Sequence, residues 1–212
     1  MNMRDNFKTF FRIVVYVKKM KIITLNSREF KMDCQRLLDA VLKTGFKPDL
    51  IVSIATGGDY VVREFGCDND VEFVSIKKQR KATRTKNKLH LMFYFLKRMP
   101  YFISNTLRKA EHMFLMFKHV RSSLNDKKNI TSFEGINVIR KVKNILIVDD
   151  AVDSGSTMVA IVSHIEKEFP GSNVCTASIV NTFYKPLIVP DVVIYDKCLV
   201  RFPWSKDYKN NV

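Results

Sequence analysis

The sequence predicts an α/β protein: a mainly parallel, twisted sheet with helices on both faces, plus a basic, apolar helical insert. Three observations predict it. Short apolar runs rich in Val, Ile and Leu alternate with helix-period segments along most of the 212 residues. Two of those runs end in small-residue turns that contain Gly. Over residues 85–130 the alternation stops, and Lys and Arg crowd among Phe, Met and Leu.

The elements follow in order. Residues 1–20 read as a basic and apolar extension, with Phe7 to Val17 apolar apart from Lys8, Thr9 and Arg12 and followed by Lys18 and Lys19. Residues 21–25 form a short strand candidate. Ser27 is a natural N-cap for a helix carrying Phe30, Leu37, Leu38, Val41 and Leu42, which Gly45 ends. Pro48-Asp49 leads into a buried strand at 50–54 and the turn Ala55-Thr56-Gly57-Gly58. A helix through Val61, Val62 and Phe65 ends near Gly66, and residues 71–76 give the next strand. After the insert, a strand over 142–148 enters a second turn, a helix runs from about Thr157 to Phe169, and Gly171 closes it. Strands at 174–180 and 192–195 complete a domain over 21–206, with 207–212 a tail. Parallel sheets bind ligands at the carboxyl ends of their strands, where both turns lie.

The stretch 145–158 carries the most chemistry. Ile145 to Val148 make a buried strand, Asp149 and Asp150 follow at its end, and Asp153-Ser154-Gly155-Ser156-Thr157 turn into a helix. Unpartnered N–H groups at a helix N-terminus take a phosphate. Carboxylates face sugar hydroxyls or a metal ion. Acids this close repel one another unless hydroxyls, amides or a cation compensate them. The pattern is that of a sugar-phosphate site.

Charge and cysteine usage narrow the class. The formal net charge is +15, which suits nucleic acid, an anionic membrane or a polyanionic ligand. Much of the excess lies between Lys77 and Arg121, where only Glu111 opposes the basic residues. Cys34, Cys67, Cys175 and Cys198 are scattered and form no C-x-x-C pair, which argues against a zinc site or a disulfide framework and fits a reducing compartment. Arg12 interrupts the N-terminal apolar run and no cleavage site follows, so no signal peptide is expected. No uncharged run reaches the length of a membrane span.

The stretch 149–157 resembles the signature that binds phosphoribosyl pyrophosphate (PRPP) in the type I phosphoribosyltransferases. The resemblance implies that Asp149 and Asp150 contact the ribose hydroxyls and Mg²⁺, the latter directly or through PRPP. It implies that Asp153 lies near the reacting carbon as the base, and that Ser154, Gly155, Ser156 and Thr157 grip the 5'-phosphate. Thr56, Gly57 and Gly58 resemble the pyrophosphate loop, although purine-salvage members usually have Arg in place of Thr56, and Asp59 is unusual beside a diphosphate. Lys77 resembles the lysine that salvage enzymes set near the pyrophosphate, but Lys78-Gln79 replaces their Ser-Tyr pair. Tyr184-Lys185-Pro186, Pro190-Asp191 and Phe202-Pro203-Trp204 resemble the tail of xanthine–guanine-type enzymes. There a lysine reads the purine 6-oxo group and an aromatic stacks on the base, which makes Lys185 and Trp204 the acceptor-binding candidates.

The acceptor stays open between two enzyme readings. Residues 85–130 read as two helices joined or kinked near Pro100, with wide apolar faces punctuated by basic residues. Such helices suit a membrane interface through residues 88–121, a packed hairpin or second subunit, or, as the least favoured partner, nucleic acid. The first reading moves phosphoribosyl to a hydroxyl of a lipid-linked bacterial glycan, like the polysaccharide phosphoribosyltransferases, at the cytoplasmic face of the membrane. The second is purine salvage. A PRPP-sensing regulator that binds nucleic acid is a third reading, and a homodimer is compatible with each.

Overall fold

The computed structural model describes residues 3–66, 71–76, 99–122 and 142–209. Its chain order is α1 (Met3–Lys19), β1 (Ile22–Thr24), α2 (Ser27–Lys43), β2 (Leu50–Ile54), α3 (Gly57–Arg63), β3 (Glu72–Ile76), α4 (Tyr101–Ser122), β4 (Asn144–Val152), α5 (Ser156–Glu168), β5 (Asn173–Asn181), β6 (Val192–Asp196) and β7 (Leu199–Arg201). The chain divides into a larger unit, Ser27–Lys81 with Asn129–Lys197, and a smaller one, Met1–Asn26 with Ala82–Lys128 and Cys198–Val212.

The larger unit is built on a five-stranded sheet in the order β3-β2-β4-β5-β6, every pair parallel. Leu50, Val52 and Ile54 alternate along β2, as do Ile145 and Ile147 along β4, and all pack with Met158, Ile161 and Ile165 of α5. The helix partners fall at i, i+3 and i+7, one face of a 3.6-residue period. Phe30, Cys34, Leu37 and Val41 give α2 an equally regular buried stripe. Asp33 in that stripe accepts from Tyr195 Oη of β6 (2.7 Å) and from Arg36 (2.9 Å). Cys34 and Cys175 here, and Cys198 in the smaller unit, are buried and in no disulfide.

Chain order makes the site. From β2 the chain steps to one side, to β3; from β4 it steps to the other, to β5 and β6. Neighbours β2 and β4 therefore flank the point where the winding reverses, and it is beyond the carboxyl ends of such strands that parallel sheets bind ligands. The structure also corrects one boundary. The strand expected to stop at Val148 runs on to Val152, because Asp149, Ala151 and Val152 keep pairing with Ser178, Val180 and Asn181 of β5. The acid pair thus sits inside the strand and not in the turn beyond it.

The smaller unit was only partly legible. The strand candidate at 21–25 does not join the main sheet; β1 pairs in parallel with β7, a three-residue strand with no sequence signal of its own. Arg201 at the end of β7 is 1% exposed, and its charge organises the unit. Its guanidinium donates to Asp207 (3.0 Å), Thr24 (2.8 Å), Ser104 (3.2 Å) and Asn105 (2.7 Å), and lies 4.4 Å from the Tyr101 ring centroid. Arg108 donates to both oxygens of Asp207. A buried cation is tolerated when it is paired and its donors are used, as these are.

Of the expected helical pair, the second member is α4, which starts directly after Pro100; Ile103 N and Ser104 N both donate to the Pro100 carbonyl. Residues 85–98 and 123–130 of the insert lie outside the described residues, as do Lys77, Lys78, Gln79 and Cys67.

Candidate active site

Fold order brings the two turns together. Gly57 opens α3 beside β4, and a Cβ built there would stand 1.9 Å from Asp150 Oδ1. At Gly58 a Cβ would stand 2.5 Å from the Val148 carbonyl oxygen. Glycine is needed at both positions because backbone meets the acid strand with no room for a side chain. The pair expected to hold pyrophosphate therefore touches the strand expected to hold ribose. The Ala55–Thr56 peptide that leads into this loop is cis.

The carboxylates occupy three different settings. Asp149 and Asp150 are partly buried within the carboxyl half of β4, and Asp150 N–H donates to Asp149 Oδ1 (2.9 Å). Burial first, then the neighbouring Asp150 charge, holds the Asp149 carboxyl well above the usual range. Burial also raises Asp150, opposed by hydrogen bonds from Asp149 and the backbone. Such a pair resists carrying two charges unless a cation or donor arrives to share them. That fits a site for a cationic sugar or a bound Mg²⁺. No group of three or more His, Cys, Asp or Glu that could cage a metal occurs among the described residues. A metal here would draw its remaining ligands from the substrate.

Asp153 is exposed, one residue beyond β4. Thr182 Oγ1 donates to its Oδ1 at 2.5 Å. Thr182 follows the last residue of β5 and was not singled out from sequence; its only signal was a hydroxyl at the carboxyl end of a strand.

Gly155 adopts φ +75°, in the left-handed region, and α5 begins at Ser156. A Cβ on Gly155 would also meet Ile188 N at 2.9 Å. Ser154 Oγ accepts from Ser156 N–H (3.4 Å) and donates to Ser156 Oγ (3.1 Å), which curls the turn around the helix start. Thr157 lies in the first helical turn. From the other side the β5–β6 connection clasps this turn: Leu187 N–H donates to Ser154 O at 2.8 Å. The same connection carries Lys185, exposed, with Nζ 5.7 Å from the Tyr184 ring centroid. Trp204 belongs to the smaller unit, where it stacks on buried Phe202 with ring centroids 4.8 Å apart and planes 4° off parallel.

Asp59 has a structural partner set that sequence did not reveal. Ser53 of β2 and Ser75 of β3, which are register partners, both donate to Asp59 Oδ1, at 2.5 and 2.7 Å. The acid that looked misplaced beside a diphosphate is held by two hydroxyls and fixes α3 across two strands.

Comparison with known proteins gives the family and the fold. Residues 24–186 match the family model described as the phosphoribosyl transferase domain. No curated protein matches the chain. Among solved structures, the chain is similar to the xanthine-guanine-hypoxanthine phosphoribosyltransferase of Helicobacter pylori, at 18% identity and TM-score 0.57, over 86% of this chain and 93% of that one. It is also similar to a purine phosphoribosyltransferase of Pyrococcus horikoshii, at 17% identity and TM-score 0.53, over 88% and 95%. At these identities the likeness is one of fold. The family match spans most of the chain and includes the acid strand, the turn at Ser154 to Thr157 and the glycine pair at Gly57 and Gly58: this protein belongs to the phosphoribosyltransferases, enzymes that transfer phosphoribosyl from PRPP.

Proposed function

We propose that the chain transfers 5-phosphoribosyl from PRPP to a hydroxyl of a lipid-linked bacterial glycan, releasing pyrophosphate, as a step of polysaccharide biosynthesis at the cytoplasmic face of the membrane. The acceptor side rests on one observation. Helix α4 exposes Phe102 (71%) and Phe114 (67%) on a basic unit. A water-soluble nucleobase has no use for such a surface, whereas an acceptor anchored in lipid does.

On the donor side, Ser154, Gly155, Ser156 and Thr157 receive the 5'-phosphate at the start of α5. Backbone amides of Thr56, Gly57 and Gly58, with Lys77, receive the pyrophosphate. Asp149 and Asp150 would hold Mg²⁺ directly or through PRPP; the ion's contribution is to neutralise charge on the departing diphosphate. Burial keeps the acid pair reluctant to ionise until a cationic partner is present. Their negative charge is then directed at the oxocarbenium-like sugar as the C1–O bond to diphosphate breaks. The incoming hydroxyl attacks C1 from the opposite face with inversion, and its proton passes to Asp153.

Purine salvage is the second reading. It is favoured by Lys185, exposed on the connection that clasps the turn at Ser154, and by the resemblance of Phe202-Pro203-Trp204 to the tail of xanthine–guanine-type enzymes. One assay separates the two. The protein is given PRPP and Mg²⁺ with either the four common purines or a synthetic lipid-tagged oligosaccharide. Product on the oligosaccharide alone supports the glycan reading, and nucleotide formation overturns it.

A further inference from the structure

We infer that the outer faces of α1 and α4 together form a docking surface for a bilayer rich in anionic headgroups. Two contacts fix the pair. Phe10 of α1 packs on Phe117 of α4 with ring centroids 4.8 Å apart, and Lys109 Nζ of α4 donates to the Lys18 carbonyl of α1 at 2.8 Å. An early residue of α1 meets a late residue of α4 and the reverse, so the helices run antiparallel, side by side. Each has a buried side: Ile13 and Val17 on α1, Ser104, His112 and Met116 on α4.

At 100° per residue these contacts fix what points the other way. Phe11 and Val15 lie opposite the buried side of α1, at 61% and 36% exposure. On α4, Ile103, Leu107, Ala110 and Phe114 recur at i, i+4, i+7 and i+11 and face the same way. The two stripes make one apolar layer on one side of the pair. That layer is unusual on α4, whose buried side carries a serine and a histidine beside Met116 while Phe114 faces out.

Charge selects the occupant. Arg12, Lys18, Lys19 and Lys118 are exposed along the layer, and over residues 9–19 and 101–120 Glu111 is the lone acid. An apolar layer rimmed by Lys and Arg matches the boundary between acyl chains and anionic headgroups. A second copy docked by this face would set like-charged rims against each other. Spanning is not the mode: α4 is about 33 Å long at 1.5 Å per residue, yet no helix among the described residues is apolar enough to cross a membrane. Insertion to the depth of the Phe side chains is what the surface can do.

The inference gives the proposed lipid-linked acceptor its meeting place, but its test does not depend on that acceptor. The full chain is mixed with sedimentable vesicles of phosphatidylcholine alone or with phosphatidylglycerol added, without PRPP. Binding should require the anionic lipid and fall with added salt. Phe11→Ser with Phe114→Ser should lower partition by about tenfold or more, with the far-UV circular dichroism unchanged because both side chains are exposed. In a separate variant, Phe114→Trp should show a blue-shifted emission on anionic vesicles beyond that of Trp204. Absence of wild-type binding, or equal binding by the double variant, overturns the inference. So does concentration-dependent self-association that the double variant abolishes without any vesicle binding. If the wild type binds anionic vesicles but makes nucleotides from purines, the surface stands and the glycan acceptor falls.

Discussion

Thr182 Oγ1 donates a 2.5 Å hydrogen bond to Oδ1 of Asp153. The donor is buried and its own N–H is bonded to the Val152 carbonyl at 2.9 Å, so it is held rigidly beside an exposed acid. The first residue beyond β5 thereby orients the residue proposed as the base. Asp153→Asn should reduce transfer by roughly 10²- to 10⁴-fold, the usual worth of a general base. Thr182→Val should lower kcat more than it raises KM for PRPP, and Thr182→Ser should restore most of the loss. Steady-state kinetics on the three variants decide this; a fully active Asp153→Asn would remove Asp153 from the chemistry.

Gly57 and Asp150 cannot both stay in place if a methyl group is added. The Gly57→Ala variant puts Cβ 1.9 Å from Asp150 Oδ1. Overpacking of this kind costs about 1–3 kcal/mol, and here relief comes most directly by moving the acid. PRPP affinity measured by calorimetry should fall roughly tenfold. Unchanged affinity would mean that Asp150 contributes nothing to donor binding.

Asp59→Ala leaves the hydroxyls of Ser53 and Ser75 without their shared acceptor. Ser53 is buried, so the loss should destabilise the fold by about 1–3 kcal/mol. A urea melt measures it. The double variant Asp59→Ala with Ser53→Ala should be less than additive, since the two removals share one interaction.

Asp207 makes the smaller unit acid-sensitive. Burial would raise its carboxyl, but hydrogen bonds and charge from Arg108, then Arg201, hold it down at about 2, against an ordinary 3.8. A lowered acid stabilises the fold fully above its unfolded pKa, and that contribution is lost as pH falls through the folded one. Thermal melts should therefore lose roughly 2 kcal/mol between about pH 5 and about pH 2 from this group. Asp207→Asn should flatten that part of the profile while lowering stability at neutral pH, because Arg201 stays buried with a weaker partner. A variant with the wild-type profile would contradict the assignment.

Local pattern made much of the larger unit legible. Leu50–Ile54 is an apolar run broken only by Ser53 and forms β2 as read, and the i, i+3, i+7 spacing of Met158, Ile161 and Ile165 marks a helix. A turn follows β4 at Asp153 to Gly155, and α5 starts at Ser156, within the stretch expected to turn and one residue before the expected helix start. Extension of β4 through Asp149 and Asp150 was not legible, because acids disfavour strands locally and only the β5 ladder overrides that preference. Ser53, Ser75 and Thr182 were not legible either: a lone hydroxyl in an apolar strand says nothing until its partner arrives from elsewhere in the chain. In the smaller unit, β1 and β7 are three residues each and 177 positions apart by the Thr24–Arg201 bond, so neither announces the other.

By itself the sequence determined the alternation of strands and helices, the sugar-phosphate turn and the basic character of the insert, because periodicity, turn chemistry and charge are properties of neighbouring residues. Only the tertiary structure decided that β2 and β4 lie side by side, so that Gly57 meets Asp150, that Asp59 accepts hydrogen bonds from two serines, and that α1 and α4 turn Phe11 and Phe114 to one side. Those relations depend on which distant segments the sheet ladders and the buried Arg201 bring into contact, and no local pattern encodes that.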